Sequence, residues 1–345
     1  MPPTIYDIAR KAKVGIGTVS RVFNNHPNVS KKTRGRVLHI ANQMNYRPHP
    51  YARGLASKRT NSILAVIPYF TTFFFVEILQ AVQAALAESE CDLILHGITH
   101  PDHAEGILIQ NTIRGRVDGM LIFSLKISDQ FALEYSKSRI PVVLVDTYHS
   151  DFDSFTVENI HGAYRATNHL IALGHNRIGI LNANPESPPA RERLKGFKQA
   201  LKEANIFAEP GLIKHSKSTR LDGFTHDDGY KLMKEFLALG VHRPTAIFVT
   251  SDIQASGALQ AMDEEDVRCP EDIALVGFDD IELARHIGLT TMRQPMSEMG
   301  SLAIQRLFER MKDPNLEPIL KTFIPTLIIR RTSGQKYSAG NVITQ

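Results

Sequence analysis

The spacing of apolar positions changes along the chain, and each change marks a different kind of element. From Ile5 the apolar residues Ile5, Ile8, Ala9 and Ala12 fall at i, i+3, i+4 and i+7, the period of one helix face. Thr4 precedes this run with Asp7 three residues on, the arrangement of a helix cap. After Lys13 the chain must turn, and Gly15 or Gly17 permits a second short helix with Val19, Val22 and Phe23 inward and Thr18, Ser20 and Arg21 outward. A third helix is predicted from Ser30 as N-cap, with Val37, Ile40, Ala41 and Met44 on its inner face. The prolines of NYRPHP end it. Three short helices of this spacing form a helix-turn-helix module.

From Asn61 onward the pattern becomes apolar runs separated by amphipathic helical stretches. The runs are SILAVIPYF, CDLILHG, GMLIFS and PVVLVD, then RIGILNA, TAIFVTSD and DIALVGFDD. Most are apolar throughout, as strands buried on both faces of a parallel sheet are, and their two groups predict two similar subdomains. The expected fold is an all-α helix-turn-helix head plus an α/β effector body of two parallel-sheet subdomains. The expected boundaries are 1–47 for the head, 48–60 for a hinge helix and linker, 61–332 for the effector-binding and dimerisation body and 333–345 for a tail.

Charge sharpens this division. The net charge of the 345 residues is +4, but residues 1–60 hold 12 Lys and Arg against the single acid Asp7, and the rest holds 28 basic against 35 acidic side chains. A folded basic head on an acidic body implies a polyanionic partner for the head alone. No run of about 18 apolar residues is present to cross a bilayer. The first residues carry a proline pair and charges instead of an apolar signal region, so the cytoplasm is the expected compartment. Cys91 and Cys269 stand far apart, without the C-x-x-C spacing of a zinc or redox site, and are expected to be packing residues.

Gly15, Gly17 and Ser20 fall one residue short of a G-x-G-x-x-G dinucleotide fingerprint, which requires a buried strand before its first glycine. A helix precedes it here. The second helix is instead placed to enter the DNA major groove, presenting Ile16, Gly17, Thr18, Ser20 and Arg21. Arg21 suits a bidentate guanine contact and Ile16 a thymine methyl. Asn24, Asn25, Lys31, Lys32, Arg34 and Tyr46 are expected at phosphates, which fix register without reading sequence. Within PHPYARGLASKRT, Tyr51 to Ser57 form at most two helical turns, too few to be stable alone in water. Leu55 between Gly54 and Ala56 suits an apolar wedge between base steps of the minor groove. Thr4 and Arg53 complete the set expected to face DNA.

These residues carry a resemblance. IYDIARKAKVGIGTVSRVFNNHPNVSKKTRGRVLHIANQMNYRPHPYARGLASKRT is similar to the DNA-binding head of the lactose/galactose repressor (LacI/GalR) family, through TVSRV, NV-S-x-x-TR, NYRP and ARGLA in combination. The likeness extends, more loosely, to about Thr332. It implies a homodimeric operator-binding regulator, with Thr18, Ser20 and Arg21 on the recognition helix and Leu55 as the hinge wedge. Two departures stand out: where the family reads A-G-V-S, this chain has Ala12, Lys13, Val14 and Gly15. The turn thus carries Lys, and the serine that would cap the recognition helix is a glycine.

Ligands of parallel sheets sit beyond the carboxyl ends of the strands. That rule selects Tyr69, Asp146, Asn182, Asn184, Ser251, Asp252, Phe278 and Asp279. The body resembles the periplasmic-binding-protein-like effector domain of the same family, which implies a sugar, sugar phosphate or nucleobase held between two lobes. The matching segments assign Phe74, Phe75, Asp146, Arg193, Phe224, Ser251 and Asp279 to that pocket. In these roles Asp146 and Asp279 accept ligand hydrogens, Arg193 donates a fork of them, and Phe75 with Phe224 sandwiches a ring, although Phe74 and Phe75 suit the core equally well. Lobe closure would then alter the spacing of two heads in a dimer. The ending QKYSAGNVITQ has no leucine heptad, so a dimer is the expected assembly.

Other classes fare less well. There is no G-x-x-x-x-G-K-[ST], H-E-x-x-H or G-x-S-x-G, so an enzyme is not expected, and neither is a cofactor. His96, His100 and His103 are read as a solvated loop rather than a metal site, and Asp263 to Asp266 as an exposed helix end. A solute-binding protein of a transport system would share the body but needs an export signal in place of the basic head.

Overall fold

Three short helices open the chain: α1 (Ile5–Ala12), α2 (Ile16–Phe23) and α3 (Lys31–Gln43). The computed structural model describes residues 3–23, 26–46, 60–68, 72–87, 89–98, 105–106, 108, 117–135 and 140–334. Ile8, Ala9, Ala12, Val19, Val22, Val37 and Ala41 close a small core, with Phe23, Ile40, Met44 and Tyr46 packed against it. The backbone N–H and hydroxyl of Thr4 donate to Asp7 Oδ2 at 2.9 and 2.6 Å, which fixes the start of α1 and holds the Asp7 carboxyl below its usual range. Lys13 ends α1 in the left-handed conformation, φ 51° and ψ 49°. That is the position where the family pattern has glycine, which adopts it without the steric cost a Cβ brings. Ser30 caps α3 by accepting the N–H of Thr33 at 3.2 Å.

The body contains two sheets of six strands. The first comprises β1 (Ser62–Ile67), β2 (Asp92–Gly97), β3 (Gly119–Phe123), β4 (Val142–Val145), β5 (Asp153–Val157) and β11 (Leu320–Phe323), in the order β11-β5-β4-β3-β1-β2. The second comprises β6 (Ile178–Asn182), β7 (Ile213–His215), β8 (Ala246–Val249), β9 (Ala274–Asp279), β10 (Thr290–Arg293) and β12 (Thr326–Ile328), in the order β12-β10-β9-β8-β6-β7. Every pairing is parallel except β10 with β12.

Both sheets are covered on both faces, which is why their strands read as unbroken apolar runs. In β1, Ile63, Ala65 and Ile67 face one core while Leu64 and Val66 face the other. The first core is shared with α4 (Phe73–Leu86) and α11 (Met296–Lys312), the second with α5 (Asp129–Tyr135). In the second lobe α8 (His226–Leu237) and α9 (Asp252–Asp263) cover one face, α6 (Asn159–Ala172) and α7 (Pro188–Glu203) the other. The crossing of α6 and α7 depends on Gly196, where an added Cβ would lie 2.1 Å from the carbonyl oxygen of Ile160.

The chain passes between the lobes three times: from β5 to α6, from β10 to α11 and from β11 to β12. After β9, Ile281 inserts into the apolar core of the first lobe and α10 (Glu282–Ile287) begins with the N–H of Glu282 donating to Glu77 Oε1 on α4, at 3.1 Å. The lobes are thus in direct contact beside the crossings.

Candidate functional site

On the head, Ile16, Gly17 and Arg21 are exposed on α2 while Thr18 and Ser20 are half-buried, and Val19 and Val22 anchor the opposite face. The carbonyl of Gly15 accepts the N–H groups of Thr18 and Val19, so Gly15 occupies the cap position without a side-chain acceptor. Thr4, Lys31 and Lys32 are exposed. Arg34 departs from its expected role. Its guanidinium donates to the carbonyls of Val22 at 3.1 Å and His26 at 2.7 Å, clamping the end of α2 instead of reaching outward. Tyr46 packs its ring 5.6 Å from that of Phe23, and burial raises its hydroxyl pKa. Asn24, Asn25, Arg53 and Leu55 lie outside the described residues.

The second site forms where β4, β6, β8 and β9 end, and Arg193 is its centre. One turn and a half into α7, this side chain is 4 % exposed. Its Nε donates to Asn159 Oδ1 at 2.9 Å and its Nη1 to the carbonyl of Thr250 at 2.6 Å. The guanidinium lies 3.8 Å from the Phe278 ring centre and 5.7 Å from that of Phe224, and Nη1 is 3.7 Å from Asp279 Oδ1. Burial lowers its pKa, opposed by Asp279, Asp146, Glu192 and Asp252.

The acids around Arg193 are shifted the other way. Asp279 ends β9 with φ 123° and accepts Gln294 Nε2 at 2.6 Å. Burial pushes its carboxyl to about 7, with Arg193 and the Gln294 bond opposing and Asp146 reinforcing the rise. Asp146 follows β4 with φ 57° and accepts the Ser124 hydroxyl at 2.5 Å. Burial raises it to about 6 against the pull of that bond and of Arg193. Asp252 is fully buried, accepting Thr291 Oγ1 at 2.5 Å and the N–H of Ile281 at 3.0 Å. Burial and the neighbouring Asp279 raise it well above the carboxylate range. Gly277 makes room for it, since a Cβ there would meet Asp252 Oδ1 at 2.4 Å. The structure therefore brings Asp146 of one lobe together with Arg193, Asp279 and Phe224 of the other.

Other expected members are placed differently. Phe75 is buried in the first-lobe core, its ring 6.3 Å from Phe123, so it is removed from the role of stacking partner. Phe74 beside it is half-buried. Ser251 caps α9, accepting the N–H of Gln254 at 3.3 Å and donating to Gln254 Oε1 at 3.0 Å. Asn182 is buried and donates to the carbonyl of Ala190, while Asn184 accepts the N–H of Glu186 in the following loop. Tyr69 lies outside the described residues. Sequence reasoning missed Asn159, Thr250 and Gln294; of these only Thr250, directly after the apolar strand β8, carried a signal. Cys91 and Cys269 are half-buried against the cores, with burial pushing the Cys269 thiol up to about 12. Among the described residues no group of acidic, His or Cys side chains is placed to hold a metal ion, and no helix is long and apolar enough to cross a membrane. Of the histidine trio, His100 and His103 lie outside the described residues. The acidic run from Asp263 is exposed at the end of α9, as expected.

Comparison with known proteins bears on both sites. Residues 4–49 match the bacterial regulatory proteins of the lacI family, and residues 167–333 match a periplasmic binding protein-like domain. The chain is 33% identical over 335 residues to the ribose operon repressor of Haemophilus influenzae, covering 95% of this chain and 98% of that one. This chain belongs to the lacI family. It is 31% identical over 331 residues to the transcriptional repressor CytR of Escherichia coli, covering 95% of each. The structure of the Lac repressor dimer bound to operator and an anti-inducer superposes with a TM-score of 0.80 at 26% identity, over 96% of this chain and 99% of that one. The lacI-family chain is a regulatory protein, with a DNA-binding head and an effector-domain body, and not an enzyme.

Proposed function

We propose that this chain is a homodimeric, sequence-specific repressor of transcription, acting in the cytoplasm, whose hold on duplex DNA is set by a small sugar-like or nucleobase-like molecule bound between its lobes. One observation carries the reading. A basic helix-turn-helix head is joined to a body whose lobes meet around the Arg193, Asp146 and Asp279 cluster. Ile16, Gly17, Thr18, Ser20 and Arg21 are the residues assigned to base edges. Thr4, Asn24, Asn25 and Tyr46 are assigned to the backbone, and Arg53 and Leu55 to the hinge. Asp146, Arg193, Phe224, Phe74 and Asp279 are assigned to the effector, with Ser251 shaping the cleft floor as a cap.

The dimer reading is supported by exposed apolar side chains on the first lobe. Among the described residues β2 is an edge strand of its sheet and exposes Ile94 and Leu95, and α4 exposes Phe73 and Val76, between 37 and 47 % each. Edge strands and exposed apolar side chains of this kind invite a second copy.

The test is selection of fragments from sheared genomic DNA by the full chain, followed by gel-shift titration. A shared two-fold-symmetric sequence should emerge, and Arg21→Ala should cost about 1–3 kcal/mol on it while changing binding to random duplex little. Enrichment of no common sequence overturns the DNA reading, and equal losses on both duplexes reduce Arg21 to a phosphate contact.

A further inference from the structure

We infer that Asp118 is a positioning residue for DNA recognition: its carboxylate fixes the point where the chain coming from the head enters the body, and so sets the spacing of the two heads in a dimer. This rests on the homodimeric DNA reading and deepens it. Asp118 is half-buried immediately before β3, beside the start of β1. Its Oδ1 accepts the backbone N–H of Thr60 at 2.8 Å and the Thr60 hydroxyl at 2.9 Å, and its Oδ2 accepts the N–H of Asn61 at 2.8 Å. Three donors from two consecutive residues thus converge on one side chain. A carboxylate suits them, because it presents acceptors alone and no competing donor. Asn61 itself lies in the left-handed region, φ 51°, a conformation that residues other than glycine hold where neighbours impose it. Its carbonyl accepts the N–H of Asp92 at 2.7 Å, so the residue is gripped from both sides.

The sheet does not need this carboxylate. The backbone N–H of Asp118 donates to the carbonyl of Ser62 at 2.8 Å, and Ile63 to Val66 pair in register with Gly119 to Ile122. What the side chain adds is a hold on residues 60 and 61. Between Tyr46 of the head and Thr60 lie thirteen residues, which span at most about 45 Å when fully extended. A tether of that reach confines each head to its half-site only as well as its anchored end is fixed. Two heads reading a two-fold-symmetric sequence need that restraint, since one added base pair displaces a half-site by about 3.4 Å and turns it by about 35°.

The experiment uses the full chain and the sequence selected from genomic DNA, with one or two base pairs added to or removed from its centre, in gel-shift titrations beside thermal melts. Asp118→Ala should bind the selected sequence about 10-fold more weakly than the parent. It should also flatten the spacing preference: two added base pairs should cost the parent about 30-fold and the variant less than about 5-fold. Random duplex should bind both alike, because the phosphate contacts of each head are untouched. Asp118→Asn keeps an acceptor for Thr60 but sets an NH2 group against the N–H of Asn61, so it should fall between the two. A loss by one constant factor at every spacing, together with a lower melting temperature, reduces Asp118 to a structural cap and overturns the inference. A spacing profile like the parent's in both variants overturns it as well. If the parent chain itself selects no common sequence, the DNA reading falls and this inference falls with it.

Discussion

The two lobes repeat one strand order, and both treat buried charge in one way away from the cleft and in the opposite way at the cleft between them. Away from the cleft, Asp153 at the start of β5 is fully buried and meets two arginines of α11: Arg306 Nε at 3.0 Å and Arg310 Nε. The backbone N–H of Ile319 adds a third donor. Asp280, one residue beyond the cleft acid Asp279, is likewise held by Arg293 and Arg330, each at 2.6 Å. In these clusters each buried carboxylate meets two arginines. At the cleft the ratio is inverted, with Asp146, Asp252 and Asp279 around the single guanidinium of Arg193. Matched buried ions serve the fold, and an excess of carboxyl groups over cations, raised in pKa by burial, leaves interactions for something else to complete.

The sharpest way to break this contrast is to remove one acid from each kind of cluster. Asp153→Ala removes the buried carboxylate shared by Arg306 and Arg310, leaving Arg306 with Glu309 and the carbonyl of Glu317, and denaturant unfolding should show a loss of about 3–5 kcal/mol. A loss under about 1 kcal/mol would mean that the matched cluster holds little of the fold.

Asp279→Asn should act with the opposite sign. The Asp279 carboxyl is raised to about 7 in the native state, above its value in an unfolded chain. The ligand-free native state therefore binds more protons between about pH 4 and 7, and its stability falls as pH rises through that window, by at most about 1.4 kcal/mol per pH unit for this group. Asp146, raised to about 6, adds to the same trend. His169, His175 and His215, whose pKa values burial lowers, act in the opposite direction, so the measurement is the difference between two chains: in thermal melts across pH 5 to 8, Asp279→Asn should gain stability relative to the parent as pH rises. A difference that shrinks with rising pH would contradict a raised Asp279.

The smallest effect is expected where the lobes touch. Glu77→Gln keeps an oxygen to accept the N–H of Glu282 and removes a charge that burial disfavours. Unfolding midpoints should move by less than about 0.5 kcal/mol. A larger loss would show that the carboxylate charge itself ties the lobes.

How much of this could be read from the sequence follows from burial. β1, β3, β4, β6, β8 and β9 were legible because central parallel strands need unbroken apolar runs, and edge strand β2 still carried enough of one. DSFTV, IKH, TTMR, LKTF and TLI form β5, β7, β10, β11 and β12, and they escaped because they are short or polar. Arg193, Asp146 and Asp279 were found through strand ends and family likeness. Asn159 and Gln294 follow β5 and β10, strands that the pattern did not mark, so their approach to the cluster was invisible. Phe75 stayed open between pocket and core because the first aromatics of a helix carry no signal that distinguishes the two, and the structure places it in the core. In the head, Lys13 shows the limit of composition: nothing about a lysine announces a left-handed turn, and only its alignment with a glycine in the family pattern pointed there.

The threefold passage of backbone between the lobes also governs how the molecule can be divided. Neither lobe is a contiguous piece of gene. A fragment spanning 167–333 would carry α11 without the surface that Met296, Met299, Ala303, Ile304 and Leu307 cover, leaving that greasy stripe in water. Replacing one lobe alone would therefore require rejoining the chain at all three crossings.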